Sequence, residues 1–127
     1  MKYDVLLAED EESLRKLYED AFTVAGCTVK TVADGKEAVD AALTDHPKVI
    51  VMDILMPGLG GLAAVAEIRR DDWGKNATVL YLTNQTDDAT VNAAARLGDD
   101  PYVTKATTPP SEVAAKVKSL VEKALAG

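Results

Sequence analysis

Val49-Ile50-Val51-Met52 is an unbroken apolar run that ends on a carboxylate, Asp53, just ahead of the turn-forming Met56-Pro57-Gly58. A strand with one face in water alternates apolar and polar residues. A short run without alternation, rich in β-branched side chains, fits a parallel strand covered on both faces. Tyr3-Asp4-Val5-Leu6-Leu7-Ala8 and Val79-Leu80-Tyr81-Leu82 read the same way, whereas Val29-Lys30-Thr31-Val32 and Tyr102-Val103-Thr104 are shorter and more polar, as suits edge strands. Between these runs the apolar period changes to that of a helix. Leu14, Leu17, Tyr18, Ala21 and Ala25 share one face, with Gly26 as a carboxy-terminal stop. Ala38 to Leu43 forms a second helix ended by Pro47, and Leu62, Val65, Ala66 and Ile68 mark a third. Val91, Ala94, Ala95 and Leu97 mark a weaker fourth before Gly98, and Val113, Val117, Leu120, Val121 and Ala124 a fifth. Thr108 is the expected cap of that last helix, with Pro109 at its first position, where a missing N–H does no harm. Five strand–helix pairs joined by short connections predict a doubly wound, open parallel α/β sheet with right-handed crossovers, and are too few for an eight-stranded barrel.

Composition narrows the functions open to such a fold. The chain has 127 residues, enough to bury one core without metal or disulfide staples, and residues 1–127 read as a single domain without repeat or linker. With 21 acidic against 14 basic residues the net charge is −7, which argues against autonomous nucleic-acid binding. No apolar run approaches the roughly 20 residues that span a membrane, and no secretory signal opens the chain. The single cysteine, Cys27, excludes an internal disulfide and a multi-thiolate zinc site and fits a reducing compartment.

Doubly wound sheets bind ligands outside the carboxyl ends of their strands, so the residues after each strand carry the reading. Glu9-Asp10-Glu11-Glu12 follow the first strand, Asp53 the third, Thr83 the fourth and Lys105 the fifth. Singly, each has an ordinary explanation: acids charge a helix start, Asp53 forms a turn, Thr83 ends a strand and Lys105 is a solvated lysine. Together they converge on one crevice. Clustered carboxylates with no His or Cys nearby favour a hard divalent ion such as Mg²⁺. A carboxylate beside that ion can attack an electrophilic phosphorus, while Lys105, Thr83 and backbone amides stabilise the equatorial oxygens. The chemistry that this pattern predicts is transient phosphorylation of an aspartate.

These residues resemble the receiver domain of two-component response regulators over essentially the whole chain. Glu9-Asp10 is similar to that family's acidic pair, Asp53-Ile54-Leu55-Met56-Pro57-Gly58 with Gly61 to its phosphoacceptor segment, and Leu82-Thr83 with Tyr102-Val103-Thr104-Lys105 to its switch hydroxyl, switch aromatic and lysine. The resemblance implies a flavodoxin-like (βα)5 fold with strand order 2-1-3-4-5. It implies that Asp53 accepts a phosphoryl group from a histidine kinase or phosphotransfer protein. Asp10, Asp53 and the Leu55 backbone carbonyl would hold Mg²⁺, with Glu9 assisting through water. Lys105 would pair with the phosphoryl group, Thr83 would move toward it, and Tyr102 would turn inward. The output surface would be the face of helix four, strand five and helix five, used by a downstream protein or by a homodimer, and the setting would be cytoplasmic.

Several positions depart from the family pattern. Ala106 stands where proline is usual after the lysine, which predicts a trans Lys105–Ala106 peptide, or a strained cis one held by its surroundings, because a non-proline cis bond costs about 2.5–4 kcal/mol. Asn84 stands where a small residue is common, and predicts hindered access to the pocket. Leu55 puts no polar group where a hydrolytic water would be positioned, which predicts a long-lived phosphoaspartate. Gly60 stands where an Asp is common in the family. His46 is expected to be an ordinary helix-end histidine, Cys27 to pack as a small apolar residue, and Trp73 to cover a helix end. A Mg²⁺ phosphatase would need a second acid at position 55, and a flavodoxin-like cofactor site would be repelled by Glu9 to Glu12. The competing reading that survives is a phosphorylation-independent receiver acting as an interaction module.

Overall fold

Side chains that alternate along the central strands sort into two cores, one on each face of a single sheet. The computed structural model describes residues 2–126. In chain order the elements are β1 (Val5–Ala8), α1 (Glu12–Val24), β2 (Val29–Val32), α2 (Gly35–Asp45), β3 (Val49–Met52), α3 (Gly61–Arg70), β4 (Val79–Thr83), α4 (Asp88–Leu97), β5 (Tyr102–Thr104) and α5 (Pro110–Ala126), with 3-10 turns at Gly74–Asn76 and Lys105–Thr107. All strand pairs are parallel and the order is β2-β1-β3-β4-β5, as expected.

Leu6, Ala8, Ile50, Met52, Val79 and Tyr81 point to the face covered by α2, α3 and the Ala94 side of α4. Val5, Leu7, Val49, Val51, Leu80 and Leu82 point to the other, where Tyr18 and Phe22 of α1 meet Val113, Val117 and Val121 of α5. Every residue of β1, β3 and β4 is therefore buried, which is why those strands show no polar alternation. Large side chains such as Phe22, Leu6 and Ile68 are fully enclosed, and each contributes about 1.5–3 kcal/mol of transfer free energy.

The ends of the elements differ from the sequence expectation for local reasons. The first strand begins at Val5, because the Tyr3 hydroxyl instead donates to Asp45 Oδ2 at 2.7 Å and Asp4 exchanges hydrogen bonds with Thr28. Helix α2 starts three residues before Ala38: Asp34 caps it by accepting the Glu37 N–H at 2.8 Å, and Glu37 reaches back to the Ala33 N–H. It ends on His46 in the left-handed region (φ 50°), ahead of Pro47. His46 stacks face to face on Trp73, with ring centroids 4.4 Å apart, so Trp73 does cover a helix end. In α1, Leu17 is exposed and the buried stripe is carried by Tyr18 and Phe22. Helix α5 begins at Pro110, one residue later than expected. Pro109, and not Thr108, supplies the carbonyl that takes the first helical bond, from the Val113 N–H at 3.0 Å. Cys27 is buried among apolar side chains, and no helix of the described residues is long and apolar enough to cross a membrane.

Candidate functional site

The register of the sheet brings its carboxyl ends together. The Asp53 N–H donates to the Ala8 carbonyl and the Glu9 N–H to the Val32 carbonyl, both at 3.1 Å, so β1 and β3 deliver Glu9 and Asp53 side by side. Helix α3 must approach this end closely: a Cβ on Gly61 would lie 2.0 Å from the Asp53 carbonyl oxygen, so only glycine fits there. An open cleft of about 640 Å³ results, lined by Glu9, Asp10, Asp53, Leu55, Thr83 and Lys105 together with Asn84 and Met56. The cleft thus gathers every sequence-predicted site residue except Tyr102.

Among the described residues, Glu9 (2% exposed), Asp53 (6%) and Thr83 (1%) are the buried polar or charged ones, and all three belong to this cleft. Burial without a partner is costly for a charge, and here Lys105 supplies the partner. Its ammonium donates to Asp53 Oδ2 at 2.8 Å and to Glu9 Oε1. The second Glu9 oxygen accepts the Glu11 N–H at 3.0 Å. Arg15 adds positive charge at the rim by donating to the backbone carbonyls of Glu9 and Asp10. Burial pushes the Glu9 carboxyl above the ordinary carboxylate range, against the opposing pull of Lys105 and the Glu11 N–H. Burial works to lower the Lys105 ammonium too, but the Asp53 and Glu9 carboxylates outweigh it and hold Lys105 above its usual value.

One oxygen each of Glu9, Asp10 and Asp53 lie within 4.8 Å of one another. Asp10 is exposed to the cleft, whereas Glu9 sits beneath. An all-oxygen set with one solvent-facing carboxylate and open space above it fits a hard divalent cation that retains several waters.

Tyr102 lies outside the cleft. It is half-buried, with its ring 5.8 Å from that of Tyr81, and its hydroxyl donates to the Gln85 carbonyl. The same loop is held from the other side, where the Gln85 N–H donates to Thr83 Oγ1 at 3.2 Å. Thr83 and Tyr102 are therefore joined through one residue, Gln85. The Lys105–Ala106 peptide is trans, as expected. Asn84 does line the cleft, but its side-chain oxygen is occupied, accepting the Ala106 N–H at 2.8 Å.

A second polar cluster escaped the sequence reading. Arg69 at the end of α3 grips both oxygens of Asp100 at 2.7 and 2.9 Å and donates to the Gly74 and Ala77 carbonyls at 3.1 and 2.6 Å. It anchors the loop before β5 to the end of α3. Arg69 and Asp100 lie 31 residues apart, and no local pattern announces the pair.

Comparison with known proteins adds independent support. The family model described as response regulator receiver domain matches residues 5–118. The chain is 33% identical over 122 residues to the "Probable transcriptional regulator ycf27" of Cyanophora paradoxa, covering 96% of this chain and 49% of that protein. It is 32% identical over 123 residues to the alkaline phosphatase synthesis transcriptional regulatory protein PhoP of Bacillus subtilis, covering 97% and 50%. The chain thus spans about half the length of these curated relatives. Among solved structures, the chemotaxis protein CheY4 of Vibrio cholerae superposes with a TM-score of 0.84 at 26% identity, covering 94% of this chain and 99% of that one.

Proposed function

The chain belongs to the response regulator receiver domain family, and from that membership we propose that it is a phosphoacceptor switch in which Asp53 is the acceptor. One observation carries the reading: Asp53, Glu9, Asp10, Thr83 and Lys105, from the ends of four strands, line a single cleft. An Asp53 carboxylate oxygen forms the new O–P bond as the bond from phosphorus to the donor imidazole breaks, the donor being a histidine kinase or phosphotransfer protein. Lys105, already 2.8 Å from Asp53, pairs with the incoming phosphoryl oxygens, and Thr83 leaves the Gln85 N–H to donate to another. Asp10, Asp53 and the Leu55 carbonyl are assigned to Mg²⁺, with Glu9 behind them. The ion would neutralise charge on the transferring group and orient it.

Release of Gln85 by Thr83 frees the loop on which the Tyr102 hydroxyl rests, so the switch would read out on the face of α4, β5 and α5. A phosphoryl group brings nearly two negative charges, and charge-assisted hydrogen bonds of about 1.5–3 kcal/mol each from Thr83 and Lys105 are large enough to shift a two-state equilibrium. The occupant of that face is a downstream protein or a second copy of the chain, and the setting we assign is cytoplasmic.

The test is intact mass after incubation with acetyl phosphate and Mg²⁺. We expect one added phosphoryl group on the parent, lost in Asp53→Asn and lost without metal. A parent that binds Mg²⁺ yet takes no phosphoryl group would instead be an interaction module working independently of phosphorylation.

A further inference from the structure

The Ala106 N–H, which donates to the side-chain oxygen of Asn84, joins the loop after β4 to the loop after β5 across 22 residues of sequence. Thr83 precedes one partner and Lys105 the other. The bond needs both departures from the family pattern at once. A proline at position 106 has no N–H to give, and an alanine or glycine at position 84 has no side-chain oxygen to receive it.

Little else fixes the Lys105 loop. The Lys105–Thr107 turn has no side-chain cap at its start, and apart from the Ala106 bond and those of the Lys105 ammonium its remaining side-chain bond, from Thr107 Oγ1 to the Thr104 carbonyl, is long at 3.4 Å. Yet the Lys105 side chain must reach across the cleft to two buried carboxylates. The Asn84 end is well held by comparison. Its neighbour Gln85 is bonded through N–H to Thr83 and through its carbonyl to Tyr102.

We propose that Asn84 is a positioning residue: by taking the Ala106 N–H, its amide oxygen aims Lys105 at Asp53 and Glu9 and ties that aim to the loop carrying Thr83. A ring-locked loop would hold the lysine regardless of what Thr83 does. Here the two loops are coupled by one hydrogen bond, so displacement of the Thr83 loop loosens Lys105 as well. The catalytic consequence rests on the phosphoacceptor reading, whereas the bond itself does not.

Two measurements separate those layers. In hydrogen-exchange NMR, Asn84→Ala should speed exchange of the Ala106 amide about fivefold or more, and Asn84→Asp, which keeps an acceptor oxygen, should restore its protection. In labelling with acetyl phosphate and Mg²⁺, followed by intact mass, Asn84→Ala should slow modification of the parent about three- to tenfold. The same substitution in a Lys105→Ala background should slow it no further, because Asn84 acts through Lys105. Unchanged amide exchange overturns the proposal, as does a parental labelling rate in Asn84→Ala. Equal slowing in both backgrounds overturns it too, since Asn84 would then act elsewhere. If the parent takes no phosphoryl group, the phosphoacceptor reading fails by itself and the Ala106 amide alone decides the latch.

Discussion

Lys105 holds two carboxylates that would repel each other without it, and the more deeply buried of them sets a pH signature. Burial holds the Glu9 carboxyl above the ordinary carboxylate range, so the folded chain binds a proton there more readily than the unfolded chain. The stabilisation from that proton is complete below the ordinary carboxylate range and is lost as pH rises through the raised pKa. At neutral pH the parent therefore bears the cost of a buried charge that an amide would not have. Glu9→Gln is expected to be more stable at pH 7, still accepting from Lys105, with the gain closing on acidification. Urea unfolding at pH 7 and in mild acid measures the two differences. Leu55 acts by what it lacks. Its exposed side chain cannot orient a water toward a phosphorylated Asp53, so Leu55→Asn should shorten the phosphoryl lifetime several-fold in a decay assay. An unchanged lifetime would show that Leu55 does not limit hydrolysis.

Elements here are fixed at their ends by partners distant in sequence. The loop ahead of β5 is short, and Arg69 holds it through Nη2, which donates to both Asp100 oxygens, while Nη1 serves the carbonyls beyond α3. Both side chains are largely buried, so removing one leaves the other charge without a partner. Arg69→Ala should cost about 3–5 kcal/mol in chemical denaturation, and Arg69→Lys should recover little because an ammonium cannot match the fork. This cluster marks the boundary of what the sequence discloses. Strands β1, β3 and β4 are legible because burial on both faces removes polar alternation, and Glu9, Asp10, Asp53, Thr83 and Lys105 because each ends or follows a strand. The Arg69–Asp100 and Asn84–Ala106 bonds are not, since nothing local requires either residue to find its partner. Helix α5 starts one residue beyond the expected position because Pro109 and Pro110 both suit a first turn, and the bonds from the Glu112 and Val113 N–H groups to the Pro109 carbonyl decide between them.

For the whole molecule, a divalent ion held by Glu9, Asp10 and Asp53 would link folding to metal. A ligand that binds only the folded state stabilises it by about 2.7 kcal/mol at a hundredfold excess over its Kd. Mg²⁺ at that excess should raise the melting temperature by several degrees, and Asp10→Asn should abolish most of the shift without unfolding the protein, since Asp10 is exposed and buries nothing. Differential scanning calorimetry with and without Mg²⁺ reads both. Optical detection of the same event meets an obstacle set by the stack of His46 on Trp73. That pair sits where α2 ends and before β4 begins, at the opposite end of the sheet from the cleft. A four-residue strand puts roughly 13 Å between the two ends. The chain's one tryptophan is thus a built-in fluorophore for the integrity of the helical layer, blind to occupancy of the cleft. A dye or a second indole placed near Leu55 would give an independent channel, and the native emission would serve as its internal reference.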